Sequence, residues 1–159
     1  MAFVSQQVFL WKEMDKNVEI RLAREEDLPV LQAIGEALFD YPLKPGRALE
    51  FLKDDRHHLV LAFSRDQLVG MASGFHYVHP DKDPTLFVNE VSILDDFQNQ
   101  GIGRNIVRYL VEYAGKALGC TSAWVLTENS NIPARKAYAA ARGSEEREPI
   151  LLIEFDGLK

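Results

Sequence analysis

The feature that most constrains the fold is a strand-like run, a glycine turn and a long amphipathic helix in immediate succession. The strand-like run is 86–94, and the turn reads Gln98-Asn99-Gln100-Gly101-Ile102-Gly103. A turn that opens a helix leaves backbone N–H groups unpaired at the positive end of the helix dipole, which suits a phosphate. The two glycines allow the main chain to approach a ligand closely. The pattern predicts a phosphate- or pyrophosphate-binding turn, although an ordinary strand-to-helix turn explains the glycines alone equally well.

The composition is typical of one soluble globular domain. The 159 residues are 47% hydrophobic and 26% charged. A net charge of -6 disfavours nucleic acid as the main partner and is compatible with a cationic substrate. The single cysteine, Cys120, excludes an internal disulfide and favours a reducing compartment. Without a signal peptide or membrane-length apolar run, the sequence predicts a cytoplasmic protein with no membrane partner.

Hydrophobic periodicity predicts the order strand, two helices, three consecutive strands, helix, strand, helix, strand. This order indicates an α/β (α+β) fold in which a mixed sheet has helices on both faces. We expect one domain over 18–159, preceded by an N-terminal extension, 1–17, that adds an edge element or an arm to a partner subunit. The predicted strands are 18–22, 58–63, 68–78, 86–94, 121–127 and 149–155; the predicted helices are 28–38, a short one through Leu49 and Leu52, 102–118 and 132–141.

Three motifs on these elements resemble the GNAT superfamily of acetyl-CoA-dependent N-acetyltransferases. The turn Gln98-x-x-Gly101-x-Gly103 matches the family's Arg/Gln-x-x-Gly-x-Gly/Ala loop. Asn131-x-x-Ala134-x-x-x-Tyr138 matches the penultimate helix, and the segment 20–31 is similar to the usual first strand and helix. A narrower similarity, to aminoglycoside 3-N-acetyltransferases, covers 49–75 and 87–93.

The resemblance implies a mostly antiparallel sheet and acetyl-CoA as cofactor. It implies that the N–H groups of the turn bind the pyrophosphate, and that the preceding strand pairs with the pantetheine arm through its backbone. The N–H of Val91 would then polarise the thioester carbonyl, which requires this strand to splay from the strand beginning near Thr121. Arg104 and Arg108 add charge, or form a solvated helix face. The implied cofactor-binding residues are Val91, Ser92, Ile93, Gln98, Asn99, Gln100, Gly101, Ile102, Gly103, Arg104 and Asn131.

Glu90 is the candidate general base for deprotonating the attacking amine. Strand alternation predicts Val88, Glu90 and Ser92 on one face, and apolar neighbours would raise the pKa of the carboxylate by desolvation. It matches a position at which the superfamily often has an acidic residue. Alternatively, Glu90 binds the substrate ammonium electrostatically, or it is a solvent-facing strand carboxylate or a salt-bridge partner.

Tyr138 is the candidate acid for the leaving thiolate, because a phenol donates a proton without prior ionisation. Its alternative is a core aromatic on an alanine-rich helix. Asn131 either contacts the cofactor or caps its own helix. Arg142 stands where the family usually has glycine, so the helix either extends by a residue or ends on a left-handed arginine.

These residues predict an N-acetyltransferase that acts on a primary amine of a small molecule, such as an aminoglycoside or polyamine. The alternatives are a protein or peptide N-acetyltransferase and a non-catalytic acyl-CoA sensor. A homodimer is plausible from exposed strand edges. No metal is expected, since the four histidines lack metal-ligand spacing and His76 is predicted at the surface or pocket rim.

Overall fold

The computed structural model describes residues 17–157, so the predicted extension 1–17 lies outside the described residues except for its last position. The centre is a five-stranded sheet in the order β1-β2-β3-β4-β5. Successive strands are antiparallel except β4 and β5, which are parallel. The predicted mixed, mostly antiparallel sheet is confirmed. The strands are β1 Val18–Leu22, β2 His57–Ser64, β3 Gln67–Tyr77, β4 Thr85–Ile93 and β5 Ser122–Val125.

Helices cover both faces of the sheet, as predicted. The long helix α3 packs its apolar stripe on one face, where Ile106 and Leu110 are fully buried. The short helices α1 and α2 cover the other face, where Leu31 and Leu61 lie in a second core. None of the described helices has the length and apolarity needed to cross a membrane. The helices are α1 Leu28–Ile34, α2 Pro45–Lys53, α3 Ile102–Ala117 and α4 Ile132–Ala140.

The first helix is shorter than its periodicity predicts. It ends at Ile34 because Gly35 adopts a φ of +46°, and a short 3-10 turn over Gly35–Ala37 follows. Leu38 still reaches the core with 2% exposure. The apolar spacing therefore predicts which side chains are buried but misses the break in the helix.

A partly buried ion pair between Arg21 and Asp27 fixes the entry to α1 against the edge strand β1. Asp27 accepts hydrogen bonds from both terminal nitrogens of Arg21, at 2.6 and 2.7 Å, and from the N–H of Arg24 at 2.8 Å. The Arg21 guanidinium also lies 4.8 Å from the centre of the Phe63 ring. The hydrogen bonds from Arg21 hold the pKa of the Asp27 carboxyl below its usual value.

The predicted last strand, 149–155, is wrong, because this segment is irregular and exposed. Its apolar residues pair with no strand of the described chain, and a strand without a hydrogen-bonded neighbour is not stable. Arg135 of α4 holds Glu145 through two hydrogen bonds of 2.7 and 2.9 Å, upstream of this segment. The exposed apolar side chains are Ile150, Leu151, Leu152, Ile153 and Phe155.

Candidate functional site

β4 and β5 separate halfway along β4, as the predicted splay requires. The two strands pair only from Thr85 opposite Ser122 to Val88 opposite Val125. Beyond this point β4 continues to Ile93 with β3 as its partner on the other side. Within residues 17–157, the segment 89–93 therefore has one edge without a strand partner.

A β-bulge lies where the two strands separate. Glu90 is opposite Ser73 and Val88 is opposite Gly74, so Asn89 between them is an extra residue with no partner on β3. The bulge reverses the alternation, and this corrects the prediction that Val88 and Glu90 share a face. Val88 belongs to the core beneath α3, whereas Glu90 shares the α1/α2 face with its neighbours Phe87 and Ser92. Simple period-two alternation cannot reveal an inserted residue.

Glu90 is half-buried, and this burial raises the pKa of its carboxyl above the ordinary value. The negative charge of Asp40, in the segment after α1, raises the pKa further. The pKa shift of Glu90 has the predicted direction, and desolvation is its larger cause. The sequence analysis missed Asp40, since nothing in the sequence indicates that the segment after α1 lies near the middle of β4.

The glycine turn leads into α3 through two left-handed residues, Asn99 with a φ of 60° and Gly101 with a φ of 80°. The first hydrogen bond of the helix joins the N–H of Asn105 to the carbonyl of Gly101. The N–H groups before Asn105 in the first turn consequently have no partner inside the helix. They lie beside the end of β4, because an added Cβ at Gly103 would be 3.7 Å from Ile93.

The side chains of the turn brace the loop itself. The Gln98 amide donates to the carbonyl of Ile93 at 3.2 Å and to the Asp95 carboxylate at 3.0 Å. The Gln100 amide donates to the carbonyl of Asp96 at 3.1 Å. These bonds tie the turn to the end of β4, so Gln98 and Gln100 position the backbone of the loop.

The first turn of α3 combines an anchor with a cation. Ile102 is buried in the core with 4% exposure, which fixes the helix start. The guanidinium of Arg104 folds back over the turn, where a Cβ added to Gly101 would lie 3.0 Å from its terminal nitrogen. Glycine at this position therefore permits both the left-handed backbone and the approach of the arginine. Arg108, one turn further along, is half-buried.

Helix α4 carries the second motif. Asn131 caps the helix by accepting a hydrogen bond from the N–H of Ala134 at 3.2 Å, which confirms the capping alternative. Tyr138 is half-buried, and burial raises the pKa of its phenol. The hydroxyl therefore remains protonated near neutral pH.

Arg142 ends α4 in a left-handed conformation with a φ of 74°, the second of the two predicted possibilities. The N–H of Gly143 bonds the carbonyl of Tyr138 at 2.9 Å, and the N–H of Arg142 bonds that of Ala139 at 3.0 Å. This pair of bonds defines a Schellman motif, which usually has glycine where Arg142 stands. The helix end at Tyr138 is thus preserved without the glycine.

His58 and His76 lie on the face of the sheet opposite Glu90. His58 is buried on the α3 face, and its Nε2 is 2.8 Å from Nδ1 of His76. Burial and the neighbouring histidines lower the pKa of His58 to about 4. His76 is half-buried in this pair, which is compatible with the predicted surface position.

The described residues fit an elongated thioester with a pyrophosphate group. The open edge of β4 offers backbone donors and acceptors to an extended chain such as pantetheine. The unpaired N–H groups and the guanidinium of Arg104 supply positive charge at the start of α3. The splay, the turn and a carboxylate of raised pKa are thus adjacent on one strand–turn–helix unit.

Solved structures share this architecture. The fold is similar to an aminoglycoside acetyltransferase, meta-AAC0020 from an uncultured soil metagenomic sample, with a TM-score of 0.75 at 15% identity, covering 90% of this chain and 99% of the other. It is similar to aminoglycoside N-acetyltransferase AAC(6′)-Iy in complex with CoA, with a TM-score of 0.71 at 20% identity, covering 92% and 100%. The fold is also similar to a ribosomal-protein-alanine N-acetyltransferase from Brucella melitensis biovar Abortus 2308, with a TM-score of 0.69 at 17% identity, covering 87% of this chain and 99% of the other.

Sequence comparison identifies the family. No curated protein is significantly similar to the chain in sequence. The sequence model of the acetyltransferase (GNAT) family, however, matches residues 20–143, which is more than half of the chain and spans β1 through α4. The chain therefore belongs to the acetyltransferase (GNAT) family and is an N-acetyltransferase that uses acetyl-CoA.

Proposed function

We propose that the enzyme acetylates a primary amine of a small molecule by direct attack of the amine on the thioester. The observation that carries this proposal is the half-buried Glu90, whose pKa is raised and which lies where β4 leaves β5. A carboxylate with a raised pKa is a better proton acceptor near neutral pH than an ordinary one. The nearby negative charge of Asp40 favours a cationic amine over a neutral acceptor.

Acetyl-CoA supplies the acetyl group as a thioester, and the protein supplies proton transfer and binding. In the proposed mechanism Glu90 removes a proton from the substrate ammonium, which leaves a neutral nucleophile. The N–H of Val91 donates to the thioester carbonyl, where negative charge develops during attack. Ser92 and Ile93 align the donor through their backbone, and the turn from Gln98 to Arg104 binds its pyrophosphate.

Tyr138 is proposed to protonate the leaving sulfur. Its phenol is half-buried, and its raised pKa keeps the proton available until the thiolate forms. Formation of the amide removes two protons from the ammonium: the first ends on Glu90, which then releases it to solvent. The second leaves the nitrogen after attack and passes to solvent, which in turn reprotonates the phenolate that Tyr138 becomes when it protonates the sulfur. Asn131 is proposed to contact the donor with the part of its amide that does not cap α4.

The first experiment measures free-thiol release from acetyl-CoA with aminoglycosides, polyamines, amino acids, simple alkylamines and peptides. We expect release with small amines. Release with peptides alone would favour acetylation of protein or peptide amines, as the similarity to a ribosomal-protein-alanine acetyltransferase allows. Tight binding of acetyl-CoA with no acceptor would favour a non-catalytic sensor.

Two substitutions test the assigned roles. Glu90→Gln should lower kcat by about a hundredfold or more at neutral pH and remove the acidic limb of the pH profile. A rise in KM with unchanged kcat would instead assign Glu90 to binding of the ammonium. Glu112→Gln, which removes a carboxylate paired with Lys116 on α3, is the matched control.

Tyr138→Phe should lower turnover roughly ten- to a thousandfold with acetyl-CoA affinity retained. Unchanged turnover would exclude Tyr138 from the proton transfer.

We also propose that the protein is a cytoplasmic homodimer. The strip from Ile150 to Phe155 exposes several large apolar side chains, and such a patch favours association. The free thiol of Cys120 is compatible with a reducing compartment. Light scattering should give twice the chain mass, and a Leu151→Asp, Ile153→Asp double variant should give one chain mass. A wild-type monomer would contradict the dimer, and cell fractionation tests the location.

A further inference from the structure

A continuous row of aromatic rings crosses the face of the sheet that carries Glu90. The ring centre of Phe75 is 5.3 Å from that of Phe87, and the ring centre of Phe87 is 4.4 Å from that of Trp124. On the other side, the ring centre of Phe75 is 6.1 Å from that of His57. The ring centre of His57 is in turn 4.9 Å from that of Phe51 on α2. The row thus begins under α2 and ends at the edge strand β5.

The indole at the end of the row is held in place but is not covered. Its Nε1 donates to the hydroxyl of Tyr77 at 2.9 Å, and its ring packs against Phe87. Trp124 nevertheless remains 43% exposed. A large aromatic side chain that is both fixed and exposed favours stacking of a planar group on its ring. The side chain is already ordered, so binding costs little of its conformational entropy.

This surface is close to the proposed base. The bulge at Asn89 makes Glu90 the next side chain after Phe87 on this face, since their partners on β3, Ser73 and Phe75, are two residues apart. At the rise of a β-strand, two residues span about 7 Å. A substrate can therefore place an amine at Glu90 and a ring against Phe87 and Trp124 with a short spacer between them.

The chemistry of the surface favours an apolar ring over a sugar ring. The indole N–H is already donated to Tyr77, and Phe75 and Phe87 offer no hydrogen-bonding atoms to hydroxyl groups. A polyamine sugar also requires several carboxylates, whereas Asp40 is the described acid whose charge acts on Glu90. One ammonium and one aromatic ring match these groups.

We propose that Phe87 and Trp124 form a stacking surface for the acceptor, and that the acceptor is a primary amine joined to an aromatic ring through a short alkyl spacer. This inference rests on the proposed function, since it names the acceptor class of the same site. It assigns Trp124 a role in substrate binding and specificity, without any part in the proton transfers.

The test compares kcat/KM for 2-phenylethylamine and tryptamine with that for butylamine and kanamycin. We expect the aryl amines to exceed butylamine by about tenfold or more, the range of an aromatic contact at a binding site. Trp124→Ala should lower this aryl-to-alkyl ratio about tenfold, chiefly through KM, and Trp124→Phe should restore most of it. Val111→Ala, on exposed α3 surface, should leave the ratio unchanged.

The outcomes separate this inference from the proposed function. Acetylation of butylamine or kanamycin with no aryl preference, or equal losses for all amines in Trp124→Ala, would overturn the stacking surface and retain the acetyltransferase. If no amine is acetylated, the proposed function fails. Calorimetric titration with 2-phenylethylamine then decides the inference alone, since binding that weakens about tenfold in Trp124→Ala supports it and unchanged or absent binding overturns it.

Discussion

The two ends of the sheet differ in where their polar groups find hydrogen-bond partners. At the closed end, formed by β1–β3, Asp27 is buried with three hydrogen bonds and the strands pair along their length. At the open end, formed by β4 and β5, the two strands stop pairing after Val88. At the closed end the buried carboxylate finds its partners within the chain, whereas the open end leaves the backbone groups of 89–93 available to a ligand. Stability and binding are thus concentrated at different ends of one sheet.

The largest expected effect is at the closed end. Asp27→Asn should lower the free energy of unfolding by roughly 3 kcal/mol, because it leaves the partly buried Arg21 guanidinium without its counter-charge. Acetyl transfer per folded molecule should not change. Chemical denaturation measures the loss, and Glu50→Gln, which breaks an exposed pair with Arg47, should leave stability nearly unchanged. Equal losses of stability in both variants would contradict the special role of the Arg21–Asp27 ion pair.

Acid should weaken the closed end through His58. An unfolded histidine binds a proton below pH 6.5, whereas buried His58 does so only near its lowered pKa of about 4. Stability is therefore lost as pH falls from 6.5 to 4, by up to about 3 kcal/mol for this shift. His58 faces His76 and Tyr113, and the charges of Asp54 and Asp55 partly oppose the shift.

Thermal melts across this pH range measure the effect. His58→Gln should flatten the profile, whereas His79→Gln, at an exposed histidine, should leave the slope as in the wild type. A slope that is the same in both variants would show that other groups govern acid unfolding.

A single methyl group should disturb the open end. A Cβ at Gly74 would lie 2.6 Å from the carbonyl oxygen of Phe87, so Gly74→Ala must displace the backbone of β4 beside the bulge. We expect a loss of about 2 kcal/mol of stability and a fall in acetyl transfer of about tenfold, because Glu90 moves with the strand. Gly46→Ala, in open space on α2, is the control. Transfer that survives Gly74→Ala intact would mean that the bulge does not position Glu90.

The smallest effect concerns the end of α4. Arg142→Gly should raise the free energy of unfolding by about 1 kcal/mol, since glycine adopts the left-handed conformation without steric cost. Arg142→Ala should give no such gain, because alanine keeps the Cβ. Equal changes in the two variants would show that the arginine side chain, and not the backbone, determines the difference.

The sequence predicts well what depends on local patterns. Period and turn chemistry predict β1–β5, α2 and α3 and the glycine turn that begins α3, and the capping preference of asparagine predicts the role of Asn131 at α4. The sequence does not reveal the extra residue at Asn89, because a bulge depends on the register between two strands. Gly35 ends α1 within an apolar pattern that continues, and Asp40 reaches Glu90 only through the tertiary fold.

The last predicted strand is wrong for a related reason. The apolar residues of 149–155 favour a strand. The composition of the segment does not reveal, however, whether a neighbouring strand is available to pair with it. The Arg135–Glu145 contact holds the chain before this segment, and beyond it the residues are exposed.

The unpaired side of β4 also bears on how the protein behaves in storage and at high concentration. A strand edge with free amides and carbonyls is a template for another strand, and it promotes association unless something covers it. An extended ligand along 89–93 would occupy that edge as a surrogate strand. We therefore expect the ligand-free enzyme to be the aggregation-prone form, so that the supply of acetyl-CoA influences colloidal stability as well as turnover.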